Sequence, residues 1–340
     1  MRKVFMVLLI AVVVLTGVFA QGAQESGVKT YKVGVGIYQF DDNFMTLYRN
    51  EIQAYFKIQA YFKTLETANV KYNVTIVDGK NDMAEQSNQV DNFITQGMDV
   101  IILNLVQTSS ADAIIDKIVA AGIPLVLINR EPLAYAKDGS TLDEAYEGIL
   151  KNPKVCYVGA DARQSGSFQG RIIAELPDHG DVNGDGVVSY IMIEGDPENI
   201  DAQYRTEFSI KYLKDQGIKV NCLDDQVGNW AQAKGQELCA NALAKYGKAV
   251  EVVFCNNDAM ALGAAAAIQA AGRTVGKDIY LVGVDALDEC VEMVKKGTMT
   301  GTVLNDHIGQ SHTAVDVAVE LLNGNPIKNY YWVDYVMVTK

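Results

Sequence analysis

Two sets of residues in this chain have the types and spacing to do chemistry. The first is the run Asp181-Val182-Asn183-Gly184-Asp185-Gly186-Val187-Val188-Ser189. Side-chain oxygens stand at its first, third, fifth and ninth places, a glycine at the sixth, and the Val187 carbonyl is available at the seventh. That is the ligand order of a calcium loop, with glycine where the backbone must turn sharply. An EF-hand would add a bidentate glutamate at the twelfth place, where this chain has Met192. The loop is expected to hold Ca²⁺ only with a carboxylate brought from elsewhere in the fold. The ordinary alternative is a surface turn rich in Asp, Asn and Gly.

The second set lies just past a series of apolar runs. It comprises Asp41-Asp42-Asn43-Phe44, Asn129-Arg130-Glu131, Asp201 and Arg205, then Asn256-Asn257-Asp258, Asp285 and Asn305-Asp306. Carboxylates, amides and guanidinium forks together donate and accept in fixed planes, which suits a ring of hydroxyls. Phe44 and Trp230 offer flat surface for the C–H face of such a ring. Each residue also has a structural reading: Asp and Asn commonly cap helices, and Asp258 and Asp306 are expected to do so. Asp201 and Arg205, four apart, could be a surface ion pair. The repeated chemistry at successive strand ends favours binding, and no nucleophile–base pair stands among these residues.

The elements that must position them alternate. Strand-like runs cover Val33–Tyr38, Val74–Val77, Val100–Leu105, Pro124–Ile128, Val155–Val158, Val187–Ile193, Ile218–Cys222, Glu251–Cys255, Ile279–Val284 and Thr300–Leu304. Amphipathic segments such as Ala111–Ala121, Ala231–Tyr246 and Ala259–Ala271 lie between them. Alternation of this kind predicts an α/β protein of two doubly wound parallel-sheet domains, with ligands beyond the carboxyl ends of the strands. Ile52-Gln53-Ala54-Tyr55-Phe56-Lys57 is repeated at once in residues 58–63, which either lengthens a helix or makes a bulge. Residues 133–154 read as a polar insertion with one short helix around Leu142–Leu150.

Residues 1–20 have a basic start, a short apolar run and small residues before Ala20, the pattern of an export signal cleaved near Ala20. No cysteine follows for lipid attachment, so a soluble periplasmic protein is expected. The net charge of −13 argues against a nucleic-acid partner. Five cysteines and three histidines supply neither a disulfide framework nor a zinc site. Nothing resembles a GxGxxG or phosphate loop.

At this point the chain resembles the periplasmic galactose/glucose-binding proteins, the sugar receptors of ABC importers, over about Lys32 to Lys340. The resemblance is carried by Tyr38-Gln39-Phe40-Asp41-Asp42-Asn43-Phe44-Met45, Asn104-Leu105-Val106, Asn129-Arg130-Glu131-Pro132, Asn256-Asn257-Asp258-Ala259-Met260-Ala261, Gly283-Val284-Asp285-Ala286-Leu287 and Gly301-Thr302-Val303-Leu304-Asn305-Asp306. It implies a type I periplasmic binding protein with a three-strand hinge. The lobes would be residues 29–159 plus 306–332 and residues 160–305 plus 333–340. It further implies a monomer that closes on glucose or galactose and serves ABC importer membrane subunits, with a chemoreceptor as a further partner. By motif, Asp42 and Asn129 would contact the sugar from one lobe, Asp201, Arg205, Asn257 and Asp285 from the other, and Asn305 from the hinge. Phe44 would stack on the ring, and the distant calcium ligand would be Glu251, making the ion structural.

Three departures stand out. Asn199 occupies the place of the family's histidine. Trp230 lies two positions later than the family's second stacking tryptophan, so it reaches the sugar only if its loop is remodelled. The chain stops at Lys340, before the family's final helix. Two other readings are a LacI-type sensor, disfavoured by an export signal where a DNA-binding helix pair should be, and a glycoside-acting enzyme using Asp42 and Asp285.

Overall fold

The computed structural model describes residues 27–65, 69–108, 111–132 and 152–340. The export segment, Ala20 and the helix expected around Leu142–Leu150 lie outside the described residues. The first lobe begins with β1 (Lys29–Ile37), α1 (Asn43–Leu65), β2 (Val70–Asp78), α2 (Met83–Thr95), β3 (Val100–Leu103), α3 (Ala111–Ala120), β4 (Leu125–Ile128) and β5 (Val155–Gly159). The second holds α4 (Ala162–Ala174), β6 (Val188–Glu194), α5 (Ile200–Asp215), β7 (Val220–Val227), α6 (Gln232–Tyr246), β8 (Val252–Cys255), α7 (Asp258–Ala270), β9 (Tyr280–Val282), α8 (Asp288–Lys296) and β10 (Thr302–Leu304). The chain then returns to the first lobe for α9 (His307–Asn323) and β11 (Tyr330–Trp332), and crosses again to β12 (Val336–Val338).

Both sheets use one winding. The first is β11-β5-β4-β3-β1-β2 and the second β7-β6-β8-β9, parallel throughout. Parallel bridges from Val282 to Gly301 and from Asp285 to Leu304 carry the second sheet on to β10, which pairs antiparallel with β12. Strands such as Val100–Leu103, Leu125–Ile128 and Val252–Cys255 are buried at every residue, because helices cover both faces. In the first lobe one face packs β1 against α1 and α9 through Val33, Val35, Ile37, Tyr48, Ile52 and Val315; the other packs β3 and β4 under α2 and α3 through Phe93, Ile101, Ile115 and Leu125. Each winding reverses beside its first strand, which opens a crevice at β1/β3 and another at β6/β8.

All ten apolar runs become strands, with differences that have local causes. β7 extends to Val227, past the predicted Cys222, because it is an exposed edge strand whose polar residues Asp224, Asp225 and Gln226 face water. β11 and β12 are half-exposed pieces of three residues, apolar runs too short to mark a strand by pattern alone. The hexapeptide repeat is continuous helix within α1. Ile52 and Phe56 of the first copy are buried, whereas Ile58 of the second is 42 % exposed. Six residues turn a helix by about 600°, so the copy cannot share its original's apolar face.

Cysteines 156, 239, 255 and 290 are buried and free, and Cys222 is free and exposed.

Candidate functional site

The crevices of the two lobes face each other, and a cavity lies between them. Its walls are Tyr38, Asp42, Phe44, Met45, Asn129 and Arg130 from the first lobe, Asn199, Asp201, Arg205, Trp230, Asn257 and Asp285 from the second, and Asn305 from the crossover into α9. The cavity they enclose is small, about 30 Å³. All ten residues singled out for a sugar are brought to this cavity. Tyr38, Met45 and Arg130 join them. Arg130 stands in the same strand-end run as Asn129, and Tyr38 immediately follows β1.

Several of these residues also serve as helix caps. Asp42 accepts the Met45 N–H through Oδ1 at 2.7 Å and the Tyr38 hydroxyl through Oδ2 at 2.6 Å. Asn199 caps α5 by accepting the Asp201 N–H, and Asn257 caps α7 by accepting the Met260 N–H. Asp306 caps α9 as expected, accepting the Gly309 N–H. Asp258 does not cap: Asn257 takes that place, and Asp258 is fully buried, accepting from the Leu287 N–H and the Thr302 hydroxyl. Burial pushes the Asp258 carboxyl up to about 7.

The surface ion pair considered for Asp201 and Arg205 is not at the surface. Their side chains are 6 % and 4 % exposed, with Arg205 Nη2 3.7 Å from Asp201 Oδ2. Arg205 also donates to the Asn256 carbonyl at 2.8 Å and to the Tyr335 hydroxyl at 3.1 Å. Burial opposes its charge, but Tyr335, Asp285 and Asp201 outweigh it and hold the guanidinium above its ordinary value. Burial raises Asp201 to about 6, against the pull of Arg205 and Arg130. Burial likewise lifts Asp285 well above the carboxylate range, opposed by Arg205 and reinforced by Asp258 and Asp42. Asp285 Oδ1 accepts from Asn305 Nδ2 at 3.3 Å, and Asn305 Oδ1 accepts from Gln310 at 2.6 Å.

In the first lobe Asn129 sits in the left-handed region at φ 61°, which turns its side chain back to accept from Asn104 Nδ2 at 3.1 Å. Arg130 is 1 % exposed; its guanidinium lies 3.7 Å from the centroid of the Tyr38 ring, and Nη1 donates to the Val106 carbonyl. Phe44 belongs to the first lobe's core, edge-on to Tyr48 and His307, while its ring also lines the cavity.

Trp230 lines the cavity from a tight turn, with Asn229 and Trp230 both left-handed, at φ 49° and 65°. The indole lies flat over Gly195, where a Cβ would stand 2.1 Å from the ring. Only glycine permits that approach.

Four buried side-chain atoms around the cavity have no partner: Arg130 Nε and Nη2, Arg205 Nε and Trp230 Nε1. All four are donors. Buried donors left unpaired cost free energy, so the cavity is prepared for a ligand bearing acceptor oxygens.

The acidic loop lies at the other end of the second sheet. Gly184 and Gly186 turn it at φ 76° and 86°. Asp181 accepts from the Gly184, Asp185 and Gly186 N–H groups, Asn183 from Asp185, and Asp185 from Val187. Glu251, 1 % exposed just before β8, accepts from Asn183 N–H through Oε1 and from Ser189 N–H through Oε2. The oxygen donors are hard and suit calcium. They are turned onto N–H groups, however, and among the described residues no three acidic, histidine or cysteine side chains converge as a metal group.

Comparison with known proteins places this architecture. The periplasmic binding protein domain matches residues 33–326. A D-galactose/methyl-galactoside binding periplasmic protein of Haemophilus influenzae is 34 % identical over 298 residues, covering 86 % of this chain and 82 % of the relative. A Rhizobium meliloti protein named for rhizopine binding is 32 % identical over 328 residues, covering 96 % of each chain. A crystal structure of an ABC transporter solute-binding protein from Bacillus halodurans with bound myo-inositol aligns with a TM-score of 0.73 at 28 % identity, covering 93 % of this chain and 96 % of that one. These relatives are named for solute binding, and this chain is a binding protein of the type I periplasmic fold. It belongs to the periplasmic binding protein family.

Proposed function

We propose that this protein is an exported receptor that binds one hexose, glucose or galactose, between its lobes and presents it to the membrane subunits of an ABC importer. The observation that supports this most is the shared cavity. Residues from both lobes line it, its unpaired donors suit hydroxyl and ring oxygens, and Phe44 and Trp230 supply flat faces. A ligand touching both walls favours the closed arrangement by differential contact, and the closed shape is what a membrane partner reads. Residues 1–20 provide for export.

Calorimetry with glucose, galactose, ribose and myo-inositol tests the reading. Nanomolar to micromolar binding of glucose or galactose is expected. Heat with none of the four, from well-folded protein, would sink it. A second polyhydroxylated ring, an inositol, is favoured by one observation: the Bacillus halodurans relative holds myo-inositol. Binding of myo-inositol without either hexose would move the assignment there.

The loop at Asp181, Asn183, Asp185, Val187 and Ser189, closed by Glu251, we propose as a structural Ca²⁺ site remote from the sugar. Its support is the order of hard oxygens and the seating of Glu251 on the loop. A bound ion would raise apparent stability by mass action.

A further inference from the structure

We infer that Asp196 is a positioning residue for ligand binding: it reaches across from the second lobe and fixes the orientation of Arg130 in the first. This rests on the reading that ligand is held between the lobes. Asp196 follows β6 and does not line the cavity. Its Oδ2 lies 3.3 Å from Arg130 Nη1, the nitrogen that also donates to the Val106 carbonyl. The flat face of the same guanidinium lies against Tyr38. Those contacts take one nitrogen and one face, which leaves Nε and Nη2 as the unpaired donors. The part of Arg130 open to a ligand is therefore selected by a carboxylate of the opposite lobe.

The segment around Asp196 is built for this reach. Asp196 Oδ1 accepts the Glu198 N–H at 3.0 Å, its carbonyl accepts the Asn199 N–H at 2.9 Å, and the Glu198 carbonyl accepts the Thr108 hydroxyl at 3.0 Å. One carboxylate oxygen shapes its own turn while the other meets the arginine. Because the pair spans the two lobes, it exists only while they are closed. Ligand contact with Arg130 and closure of the lobes are thereby one event, and opening removes the counter-charge of an arginine that is 1 % exposed.

Asp196→Asn separates the two jobs, since an amide oxygen can still accept the Glu198 N–H but carries no charge. In the full chain, galactose Kd is expected to rise about tenfold, mainly through faster release, as for other buried interfacial charge pairs. The Tm of ligand-free protein should stay unchanged, and the Arg130 Nε–H resonance, protected from exchange in the sugar-bound wild type, should lose that protection. Asp196→Ser is the second charge-removing variant should the first fold poorly. Thr108→Val removes the neighbouring lobe-to-lobe bond without touching Arg130 and is expected to weaken binding by less than about threefold. Wild-type affinity in Asp196→Asn, or an equal loss in Thr108→Val, overturns the assignment. Failure of the wild type to bind any sugar counts instead against the hexose reading.

Discussion

Strands β6 and β8 carry a polar, oxygen-rich site at each end, and the two sites are constructed in opposite ways. At the amino ends, loop 181–189 and Glu251 satisfy one another: the carboxylates and Asn183 meet backbone N–H groups of the same loop. At the carboxyl ends, Asn199, Asp201, Arg205 and Asn257 are braced by caps and ion pairs, yet donors on Arg205 and Trp230 stay unpaired. With roughly 3.3 Å per residue, the length of β6 puts about 20 Å between the sites. A polar cluster that completes itself stabilises one lobe. A cluster held rigid with spare donors is arranged for something that arrives.

The largest effect on that contrast should come from Arg205→Ala. It removes an unpaired donor together with the counter-charge of Asp201 and the partner of Tyr335. Breaking a buried pair from one side costs about 3–5 kcal/mol, so sugar affinity should fall by roughly a hundredfold or more at neutral pH. The variant's stability should also fall more steeply with rising pH than the wild type's. Asp201 is already raised to about 6 by burial, and Arg205 is the stronger of the two arginines, with Arg130, that restrain it. Without Arg205 the folded-state pKa moves further above the unfolded value, so the folded state holds its proton more strongly than the unfolded state. Stability then falls as pH rises from about 4 through and beyond 6. Thermal melts of the variant should be higher at pH 5 than at pH 7.5, and a flat profile would contradict the burial argument.

Much of this was legible beforehand, for reasons that differ by residue. The central strands, such as β3, β4 and β8, announced themselves because burial on both faces demands unbroken Val, Ile and Leu. The cavity residues were legible because doubly wound topology places strand ends together, whatever lies between them in sequence. Asp201 and Arg205 were ambiguous, since a spacing of four describes a surface pair and a buried one equally well. Asp258 was misread as a cap because the Asn-Asn-Asp run offers three capping residues, and only packing decides that Asn257 takes the role. Arg130 was visible as a strand-end residue, but its partner Asp196 was not, because a contact between lobes leaves no trace in local spacing. Trp230 depended on two consecutive left-handed residues, which no side-chain pattern foretells.

A middle-sized effect is expected from Gly195→Ala, which tests whether the cavity's rigidity matters as much as its donors. The added Cβ meets three indole carbons of Trp230 at 2.1–2.3 Å, so the ring must leave its place. Overpacking of this kind costs about 1–3 kcal/mol. Sugar affinity should drop by about tenfold, the scale of one lost aromatic contact, and Trp230 fluorescence should no longer respond to ligand. Unchanged affinity would mean that the indole closes the cavity without touching the sugar.

The smallest effect on sugar should come from Glu251→Gln, at the other end of the strands. The amide presents a donor where two N–H groups now meet carboxylate oxygens, so an unsatisfied buried donor follows whether or not calcium is bound. Stability should fall by about 1–3 kcal/mol, while the galactose Kd stays within about threefold. Chelation separates the two contributions. EGTA should lower the Tm of wild-type protein and leave the variant's Tm where it is; a wild-type Tm indifferent to both EGTA and added Ca²⁺ would remove calcium and leave loop and Glu251 as a hydrogen-bonded turn. If sugar affinity collapsed in a variant that still melts cooperatively, the two ends of β6 and β8 would be coupled, and the self-completed loop would have to be counted as part of the binding machinery.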